Sequence, residues 1–583
     1  MKKLIKILCA SVLLLPMQNT YSQQVENIGS KVEQNENYSR NALTVLYLDN
    51  GVRFHSNIAN AMNSVVIPDK FDNNMLDSRV LTGSSDLKSL LDNKHIANEI
   101  LAKWFSRKAD GSFDMSVVHE RGLYNATDAD VIAASASKLG LSKLQDGGEN
   151  LVAHSYILVL SYKSVKTMEE VYNEQDARKR AYNKNAKPVS RSKEGYQGEL
   201  VGYLYKLSDV KTAMSDFYST MWIFDDEADD VKASKRQTFD NANFELQFVS
   251  SASATVEGTE YKSTATTAEN QFKLLVNNSV SSLVNSFENN VSDLKVRTAL
   301  YSKHPLKAKI GKKESLSVDD RYFVYEYRMN NNNDVYAERR GVIRAKKVAD
   351  NRKVASGNTS DDALMSNFYQ VAGHSLAEGM FLEQTNDVGM GVTFGYGAGA
   401  LSGANLKIEV LTGALTNVPQ LKLILGGHID FGKYDLRNTC SIFSKRNDKY
   451  YNDLEDAKMI FYGAEFGVSK GFYLTHNFSL SGHLLLAAEF ADFIDSHLSK
   501  HYIDKKNIVS LFGGAGIQAA VNIRYNVQLV GSLTYYAGLG DAFTTAKDDG
   551  EDGTDFDIDA KYSDLFDGRA DAANISFGVR IEF

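Results

Sequence analysis

The C-terminal end of the chain shows the most regular pattern of apolar and polar positions. Between 573 and 583 every second residue is apolar, and glycine, polar or charged residues stand between them. A period of two is typical of a β-strand with one apolar face. Seven further segments of similar pattern precede it. The eight predicted strands run near 387–397, 404–413, 420–432, 458–469, 478–490, 509–522, 526–538 and 573–583.

The connections between these segments alternate in length. A tilted β-strand needs roughly 9–11 residues to cross a bilayer, which is close to the length of each segment. An even number of strands places both ends of a closed barrel on the short-turn side, so residues 23–386 are expected in the periplasm. A soluble β-sandwich or soluble barrel is the alternative. The short turns are 416–419, 471–477 and 523–525, a modest connection is 398–403, and the long ones are 433–457, 491–508 and 539–572.

One strand and the chain end carry a family resemblance. Apolar and aromatic residues alternate with others from Ile460 to Val468, and the chain ends on an alternating strand at Phe583. This C-terminal third resembles the small eight-stranded outer-membrane barrels of the OmpA/OmpX type. The resemblance implies that Phe583 is the aromatic signal read by the barrel-insertion machinery. It implies an architecture and no activity.

The same alternation predicts which side chains line the lumen. If Ile575 and its counterparts face lipid, eleven polar or charged residues point inward. An eight-stranded barrel is only wide enough for side chains to fill, so these charges must be paired. We expect a packed salt-bridge interior; a proton or ion pathway through Glu465, His428 and Asp430 is the alternative. The predicted lumen set is Lys407, Glu409, Lys422, His428, Asp430, Glu465, His483, Glu489, Gln518, Arg580 and Glu582.

The N-terminal segment predicts export. The basic stretch MKKLIK and the apolar run ILCASVLLLPM indicate a signal peptide at 1–22, followed by a polar linker at 23–40. No later stretch approaches 18 consecutive apolar residues. Two cysteines exclude a disulfide framework or a cysteine-based zinc site, and a formal charge of −8 argues against nucleic-acid binding.

The region before the barrel mixes helical and strand patterns. Asp86 to Arg107 and Gln271 to Phe287 have helical spacing, and His154 to Tyr162 reads as an apolar strand. The predicted fold is an α+β periplasmic region followed by an all-β antiparallel eight-stranded transmembrane β-barrel. The predicted segments are an α/β domain at 41–190, a second α/β segment at 191–302, a small SH3-like β module at 303–349, a linker at 350–386 and the barrel at 387–583.

Two charged regions are candidate binding surfaces. Residues 303–353 hold 14 basic and 7 acidic side chains, which favours an anionic partner such as lipid head groups, peptidoglycan carboxylates or an acidic protein face. A solvated surface is the alternative. The predicted anionic-partner patch comprises Lys307, Lys309, Lys312, Lys313, Arg339, Arg340, Arg344, Lys346 and Lys347.

The loop at 541–571 has the opposite excess of charge, with 11 acidic and 3 basic residues. Its carboxylates are hard oxygen ligands of the kind that calcium prefers, although their spacing does not fit an EF-hand. A hydrated acidic loop is the alternative. The candidate calcium ligands are Asp548, Asp549, Asp552, Asp555, Asp557 and Asp559.

A second loop holds His497 and His501, four residues apart, beside Asp495. On a helix the two imidazoles would share a face, as a zinc site needs. The same residues motivate a hypothesis of a hydrolase or acyltransferase at the barrel rim. No catalytic residue, cofactor site or established metal site is assigned from the sequence.

These patterns lead to one main hypothesis and two alternatives. The main hypothesis is a non-enzymatic outer-membrane protein, whose barrel anchors a large periplasmic region that binds another envelope protein or peptidoglycan. The first alternative is a surface adhesin, or a barrel that binds a ligand or cation through its long acidic loops. The second alternative is the rim enzyme. Outer-membrane lipid is an expected partner and nucleic acid is not.

Overall fold

The computed structural model describes most of the chain in two compact units, with the division in the chain between Lys295 and Val296. The predicted signal peptide at 1–22 and all of the predicted linker except residue 40 lie outside the described residues. The described residues are 40–83, 86–120, 134–261, 267–330, 335–353, 365–437, 451–502, 508–542, 546–547, 555–556 and 562–583.

The first unit is built on a six-stranded sheet with the order β2-β1-β4-β5-β6, in which β3 also pairs with β1. Its strands are β1 (Ala42–Asp49), β2 (Asp72–Asn73), β3 (Val80–Thr82), β4 (Ser155–Thr167), β5 (Lys193–Leu207) and β6 (Leu246–Tyr261). Its helices are α1 (His55–Ala61), α2 (Leu87–Asn93), α3 (Ile96–Trp104), α4 (Ser116–Glu120), α5 (Lys138–Ala153), α6 (Met168–Tyr182), α7 (Val210–Asp216), α8 (Asp229–Asn241) and α9 (Ala268–Asn290).

Alternation along the central strands gives the sheet two apolar faces. Strand β1 is parallel to β4, and both are buried on each side, which is typical of a sheet between helical layers. Ile157 and Val159 lie in a core with Trp104, whereas Leu158 lies in a second core with Leu283 of α9. The first unit is therefore a mixed α/β fold of three layers, as the α+β prediction for this region required.

Helix α9 covers β5 and β6 with apolar residues at helical spacing. Thr267 caps it by accepting a hydrogen bond from the backbone N–H of Asn270. Its close approach to the sheet depends on Gly258, because a Cβ atom there would lie 2.2 Å from the backbone oxygen of Gln271. No helix among the described residues combines the length and the apolar character that a membrane span requires.

Two sequence-based boundaries in this unit were wrong. The predicted division at residue 190 falls between strands that pair along most of their length, from Tyr156 with Lys206 to Thr167 with Tyr196. The polar segment at 185–195 is therefore mainly the connection between α6 and β5. The single helix expected from Asp86 to Arg107 is split into α2 and α3, where His95 has a φ of 49°.

The second unit begins with a small closed barrel of six antiparallel strands in the order β10-β11-β8-β7-β12-β9. Its core contains Leu300, Val324, Ile343 and Leu382, so apolar side chains fill the inside. Its strands are β7 (Arg297–Lys303), β8 (Leu306–Ala308), β9 (Arg321–Met329), β10 (Val335–Lys347), β11 (Ser366–Gly373) and β12 (Phe381–Gln384).

The predicted bounds of this module were too narrow. The segment at 350–386 was expected to be a linker, yet β11 and β12 lie within it and complete the six-stranded barrel. Strand β12 has only four residues, which is too short for a period of two to be recognised in the sequence.

The eight predicted strands of the C-terminal third are confirmed. They form one closed antiparallel barrel in the order β13-β14-β15-β16-β17-β18-β19-β22. The barrel strands are β13 (Met390–Gly399), β14 (Gly403–Leu411), β15 (Leu421–Tyr434), β16 (Ala457–Thr475), β17 (Phe478–Phe493), β18 (Ile508–Arg524), β19 (Val527–Ala542) and β22 (Ala572–Glu582). Two short strands, β20 (Ala546–Lys547) and β21 (Asp555–Phe556), pair with each other in a separate sheet. The helices of this region are α10 (Gly413–Thr416), α11 (Ser496–Tyr502) and α12 (Tyr562–Leu565).

The turns at 412–420, 476–477 and 525–526 all lie at the end of this barrel where β13 begins and β22 ends. We call it the short-turn end. The opposite end carries the connections 435–456, 494–507 and 543–571, and we call it the long-loop end. The loop-length alternation expected from the sequence is therefore present.

Candidate functional site

The outer wall of the eight-stranded barrel is apolar and exposed. Every strand contributes large apolar side chains to it, and these alternate along the strand with side chains that point into the lumen. An exposed apolar wall on a closed antiparallel barrel is the kind of surface that a bilayer covers. We call it the lipid-facing belt; one member from each strand, in order, is Phe394, Leu406, Leu425, Phe466, Leu484, Ile517, Leu533 and Phe577.

The lumen near the short-turn end is filled by a network around Glu409. This carboxylate forms ion pairs with Arg580 and with Lys422, the latter at 2.9 Å. Arg580 also donates to Gln528 at 2.9 Å, and Gln528 donates to Glu582 at 3.2 Å. Both positive charges therefore have a carboxylate partner in a buried setting, where leaving one unpaired would cost several kcal/mol.

The middle of the lumen is centred on Glu465. Its carboxylate lies 2.8 Å from the Lys407 ammonium and accepts a hydrogen bond of 2.7 Å from the Tyr536 hydroxyl. Close by, the His483 Nε2 and Thr534 Oγ1 atoms are 2.8 Å apart. Gln518 makes a side-chain hydrogen bond with Glu409, and together with Lys422 it lines the cavity described below.

Towards the long-loop end the network is organised by Arg569. Its guanidinium donates to Glu489 at 3.0 and 3.1 Å and to Asp430 at 2.8 Å, and it lies over the Phe461 ring at 3.8 Å. His428 contributes a contact of 3.6 Å to Glu489. Arg569 was not expected in the lumen, because in the sequence it is one of three basic residues in an acidic loop.

The structure thus places all eleven residues of the predicted lumen set on the inside of the barrel, and their carboxylates contact cations. Beyond Arg569 the interior becomes apolar, where Phe461 and Phe512 pack with Tyr562 and Phe566 from the 543–571 connection. An interior filled in this way leaves no room for a wide aqueous channel through the described residues.

The six-stranded barrel is docked on the short-turn end. The backbone N–H of Gln420, in the first short turn, donates to the Asp319 carboxylate at 2.9 and 3.0 Å. The side-chain amide of Asn477, in the second, exchanges two hydrogen bonds of 3.0 and 3.2 Å with the backbone of Gly373.

The third short turn makes an aromatic contact with the same module. The Tyr525 ring packs edge-on against Phe323, with 5.4 Å between ring centroids. The Arg339 guanidinium lies 4.4 Å from the centre of the Tyr525 ring and 4.6 Å from that of Phe323. All three short turns therefore contact the six-stranded barrel, which fixes its position relative to the larger one.

Arg344 occupies the centre of this junction. It forms an ion pair with Asp387, approaches Glu582 at 3.6 Å and donates to the Asp319 backbone oxygen at 2.7 Å. Burial alone would lower its pKa, but the carboxylates of Asp387 and Glu582 outweigh that effect and raise it. Arg344 was therefore wrongly assigned to a surface patch, because β10 turns this side chain towards the larger barrel.

Two acidic residues beside Arg344 also have raised pKa values, which for a carboxyl group favours the neutral form. Burial raises the pKa of Asp319, and it raises the pKa of Asp320 to about 6, where the nearby Asp387 carboxylate contributes. Asp320 accepts a hydrogen bond of 2.7 Å from the backbone N–H of Ser317. A cavity of about 30 Å³, enough for one or two waters, lies between Arg344, Lys422, Arg580 and Glu582.

The other members of the predicted anionic-partner patch differ in their surroundings. Arg340 lies near Glu326 and Glu338, and Lys312 lies 3.6 Å from Asp350. Lys309 lies over the Tyr301 ring, and Arg339 over the two rings named above. Lys307 and Lys313 are half-buried. Lys346 and Lys347 are exposed, and among the described residues neither forms an ion pair.

The candidates at the long-loop end are only partly described. The Asp495 carboxylate accepts a hydrogen bond of 2.9 Å from the backbone N–H of His497 at the start of α11, and the His497 side chain is exposed. His501 belongs to α11, but its side chain lies outside the described residues. Within the described part of the chain, no three His, Cys, Asp or Glu residues are grouped to hold a metal.

The acidic-loop prediction likewise stays a prediction. Asp548, Asp549, Asp552, Asp557 and Asp559 lie outside the described residues, and of Asp555 only the backbone, in β21, is described. Phe583 is described: its side chain is exposed, and its backbone oxygen accepts a hydrogen bond from the N–H of Val388. Its proposed role in barrel insertion stays a prediction.

No protein-family model matches the chain, and no curated protein matches it. Solved structures match 33% of the chain. They include a major outer membrane protein from Thermus thermophilus (16% identity, TM-score 0.23, 98% of that chain covered) and Neisserial surface protein A (10%, 0.18, 94%). A third is the Yersinia pestis outer membrane protein Ail in a bilayer nanodisc (14%, 0.18, 98%). These solved structures are similar to a third of this chain. The closed eight-stranded barrel described above has the architecture implied by the resemblance noted in the sequence.

Proposed function

We propose that this protein is a non-enzymatic anchor of the outer membrane, which holds its α/β unit in the periplasm for binding to another envelope component. The observation that carries the proposal is the docking of the six-stranded barrel on the short-turn end. An element that only linked two domains would not need contacts to all three turns and a buried arginine at the centre.

The filled lumen supports the same interpretation. Each lumen carboxylate lies against a cation, and apolar side chains pack at the long-loop end. Such an interior stabilises a barrel and leaves little space for solute passage. The α/β unit, with its own three-layer fold, is then the part of the chain proposed to act.

Protease treatment of intact and permeabilised cells tests the orientation. The α/β unit should be protected in intact cells and cleaved once the outer membrane is permeabilised. Cleavage of that unit at the surface of intact cells would refute the periplasmic assignment.

Photo-crosslinking in living cells tests the binding role. A photoreactive residue is placed at Leu139 or Tyr182, which are exposed apolar positions of the α/β unit with exposed fractions of 73% and 98%. At least one should give an adduct with an envelope protein or with peptidoglycan. The matched control is the same residue at Leu484 in the lipid-facing belt, which should give lipid adducts only. Identical lipid-only adducts at all three positions would overturn the proposal.

A further inference from the structure

Strand β6 forms a long open edge of the sheet in the α/β unit. It has 16 residues and pairs with β5 on one side, and no strand in the described part of the chain pairs with it on the other. An open edge presents unpaired N–H and C=O groups, and native proteins usually protect it with charged residues, proline or a very short strand. The opposite edge, β2, has only two residues. From Leu246 to Val256, in contrast, β6 has no charged residue and no proline.

Alternate backbone groups of β6 point to its open side. The Gly258 carbonyl oxygen points towards β5, where it lies 2.0 Å from the position that a Cβ atom on Gly195 would take. The Glu257 carbonyl therefore points away from β5, and it accepts a hydrogen bond of 2.7 Å from the side-chain amide of Asn278 in α9. Because this direction alternates along a strand, the odd-numbered residues before Glu257 also direct their N–H and C=O groups to the open side. These residues are Ser251, Ser253 and Thr255.

The part of this edge that a further strand can pair with is bounded at both ends. At one end the Asn278 amide occupies the Glu257 carbonyl. At the other end the pairing with β5 is irregular at Val249, because the register shifts between Ser250 and Phe248. The regular stretch therefore runs from 250 to 256, and Ser253 lies at its centre.

The side chains around this edge are short and uncharged. Those of Ser251, Ser253 and Thr255 are exposed. The flank of α9 beside the edge is marked by Asn278, and the residues four and seven positions further along the same face are serine and asparagine. Neither the strand nor this flank therefore offers a charge with which a charged partner could pair.

A second copy of this chain fits such an edge. Two identical strands that pair antiparallel are related by a two-fold axis, so each residue meets its own equivalent or the position symmetric about the axis. A charge close to the axis would repel the same charge of the other copy, and the stretch from 250 to 256 carries none. We propose that two copies of this protein pair antiparallel through β6, with Ser253 opposite its equivalent, and so join two six-stranded sheets into one.

This pairing assigns a hydrogen-bond register. Ser253 of each copy would exchange two backbone hydrogen bonds with its equivalent, and Ser251 would exchange two with Thr255 of the second copy. Both α9 helices would lie on the same face of the joined sheet, with their uncharged flanks towards each other. The inference goes beyond the proposed function and does not depend on it, because it requires neither the periplasmic orientation nor another envelope component.

The first experiment measures the mass of the full chain, purified in detergent, by analytical ultracentrifugation. The wild type should form a dimer in a titration over micromolar concentrations. Ser253→Pro should weaken the dimer roughly 30-fold, since proline removes one N–H from each copy and with it two hydrogen bonds across the axis. That N–H points away from β5, so the substitution keeps the pairing within the sheet. Fluorescence of Trp104 and Trp222, both in the α/β unit, verifies the fold.

A second variant makes the test independent of proline. Ser253→Lys places two ammonium groups opposite each other across the axis and should also weaken the dimer. The matched control is Ser142→Lys, which adds the same charge at an exposed serine of α5 and should dimerise like the wild type. A wild type that stays monomeric, or equal dimerisation of the two lysine variants, would overturn the proposal.

Crosslinking tests which residues meet at the axis. In a Cys440→Ser background, Ser253→Cys should give a covalent dimer with a short bis-maleimide. The control is Glu199→Cys, because Glu199 pairs with Thr255 and lies one strand further from the axis on the same face of the sheet. It should give no covalent dimer. Equal yields from the two cysteine variants, including none from either, would show that the copies do not meet at β6.

Discussion

The two closed barrels of this protein have opposite polarity. The eight-stranded barrel exposes Phe577 and its counterparts and encloses ion pairs such as Glu409 with Arg580. The six-stranded barrel encloses Val324 and Leu382 and exposes polar residues. In each barrel the strands turn one side inward and the other outward, so strand geometry alone does not determine which side meets solvent. The difference teaches that the surrounding solvent, lipid or water, decides which set faces out.

The largest effect should follow from breaking the polar interior of the larger barrel. Glu409→Leu leaves Lys422 and Arg580 buried without a carboxylate, which should cost about 3–5 kcal/mol in the free energy of unfolding. Urea unfolding in lipid vesicles measures it. Glu409→Gln, which keeps hydrogen-bonding groups, should lose less. Unfolding of both variants at the wild-type urea concentration would show that the lumen network does not stabilise the barrel.

An arginine introduced on the outer wall should affect the stability of the two barrels differently. Leu486→Arg places a cation in the lipid-facing wall and should destabilise the larger barrel by about 2–4 kcal/mol near the bilayer centre. Met329→Arg, at an exposed position of the six-stranded barrel, should change stability by less than about 1 kcal/mol. The same urea experiment measures the free energy of unfolding of both variants, and protection of β9 from hydrogen exchange is the second readout. Equal losses of stability in the two variants would contradict the assignment of lipid to one wall only.

Acid should strengthen the six-stranded barrel through Asp320. Its carboxyl has a pKa of about 6 in the folded protein and 3.8 as its ordinary value, so between these values the folded state retains a proton that the unfolded state has lost. Stability should therefore fall as pH rises from about 4 to about 6, by roughly 2–3 kcal/mol. Asp320→Asn should remove this dependence and be more stable at pH 7.

Hydrogen exchange of β9 and β10, corrected for the intrinsic rate at each pH, measures this effect. Tryptophan fluorescence would not, since Trp104 and Trp222 both lie in the α/β unit. A wild-type protein whose protection in β9 and β10 does not change between pH 4 and pH 7 would contradict the prediction.

The smallest expected effect concerns the contact between the barrels. Arg339→Ala removes a guanidinium that lies over Tyr525 and Phe323 and should loosen the junction by about 1 kcal/mol. Faster hydrogen exchange of the 476–477 turn and of Gly373 would report it. Lys309→Ala is the control, because Lys309 covers the Tyr301 ring instead. Equal changes at the junction from both substitutions would show that the Arg339 contact is not specific to docking.

How well each region could be predicted from the sequence depends on whether one short segment carries enough of a recognisable pattern. Each strand of the larger barrel carries enough alternating residues to be recognised alone, and the lumen set follows from the same register. Strand β12, with four residues, carries too few, and the 350–386 segment was misassigned for that reason. The split between α2 and α3 was missed because apolar spacing continues across His95.

Arg569 and Arg344 show most clearly which contacts a sequence pattern does not predict. In the sequence one is a basic residue in an acidic loop and the other a member of a basic patch. Their principal partners, Glu489 and Asp387, are 80 and 43 residues away along the chain. Such pairings depend on which strands and loops are brought together, and no local pattern records them.

The sequence by itself determined the strand positions, the lipid-facing wall and the inward charges of the larger barrel, because each is encoded within about ten consecutive residues. Only the tertiary structure decided that β11 and β12 complete a second barrel, that this barrel contacts all three short turns, and that two arginines lie in buried networks. These features involve residues far apart in the chain. Their interaction energies arise only when the distant groups come into contact and are desolvated together.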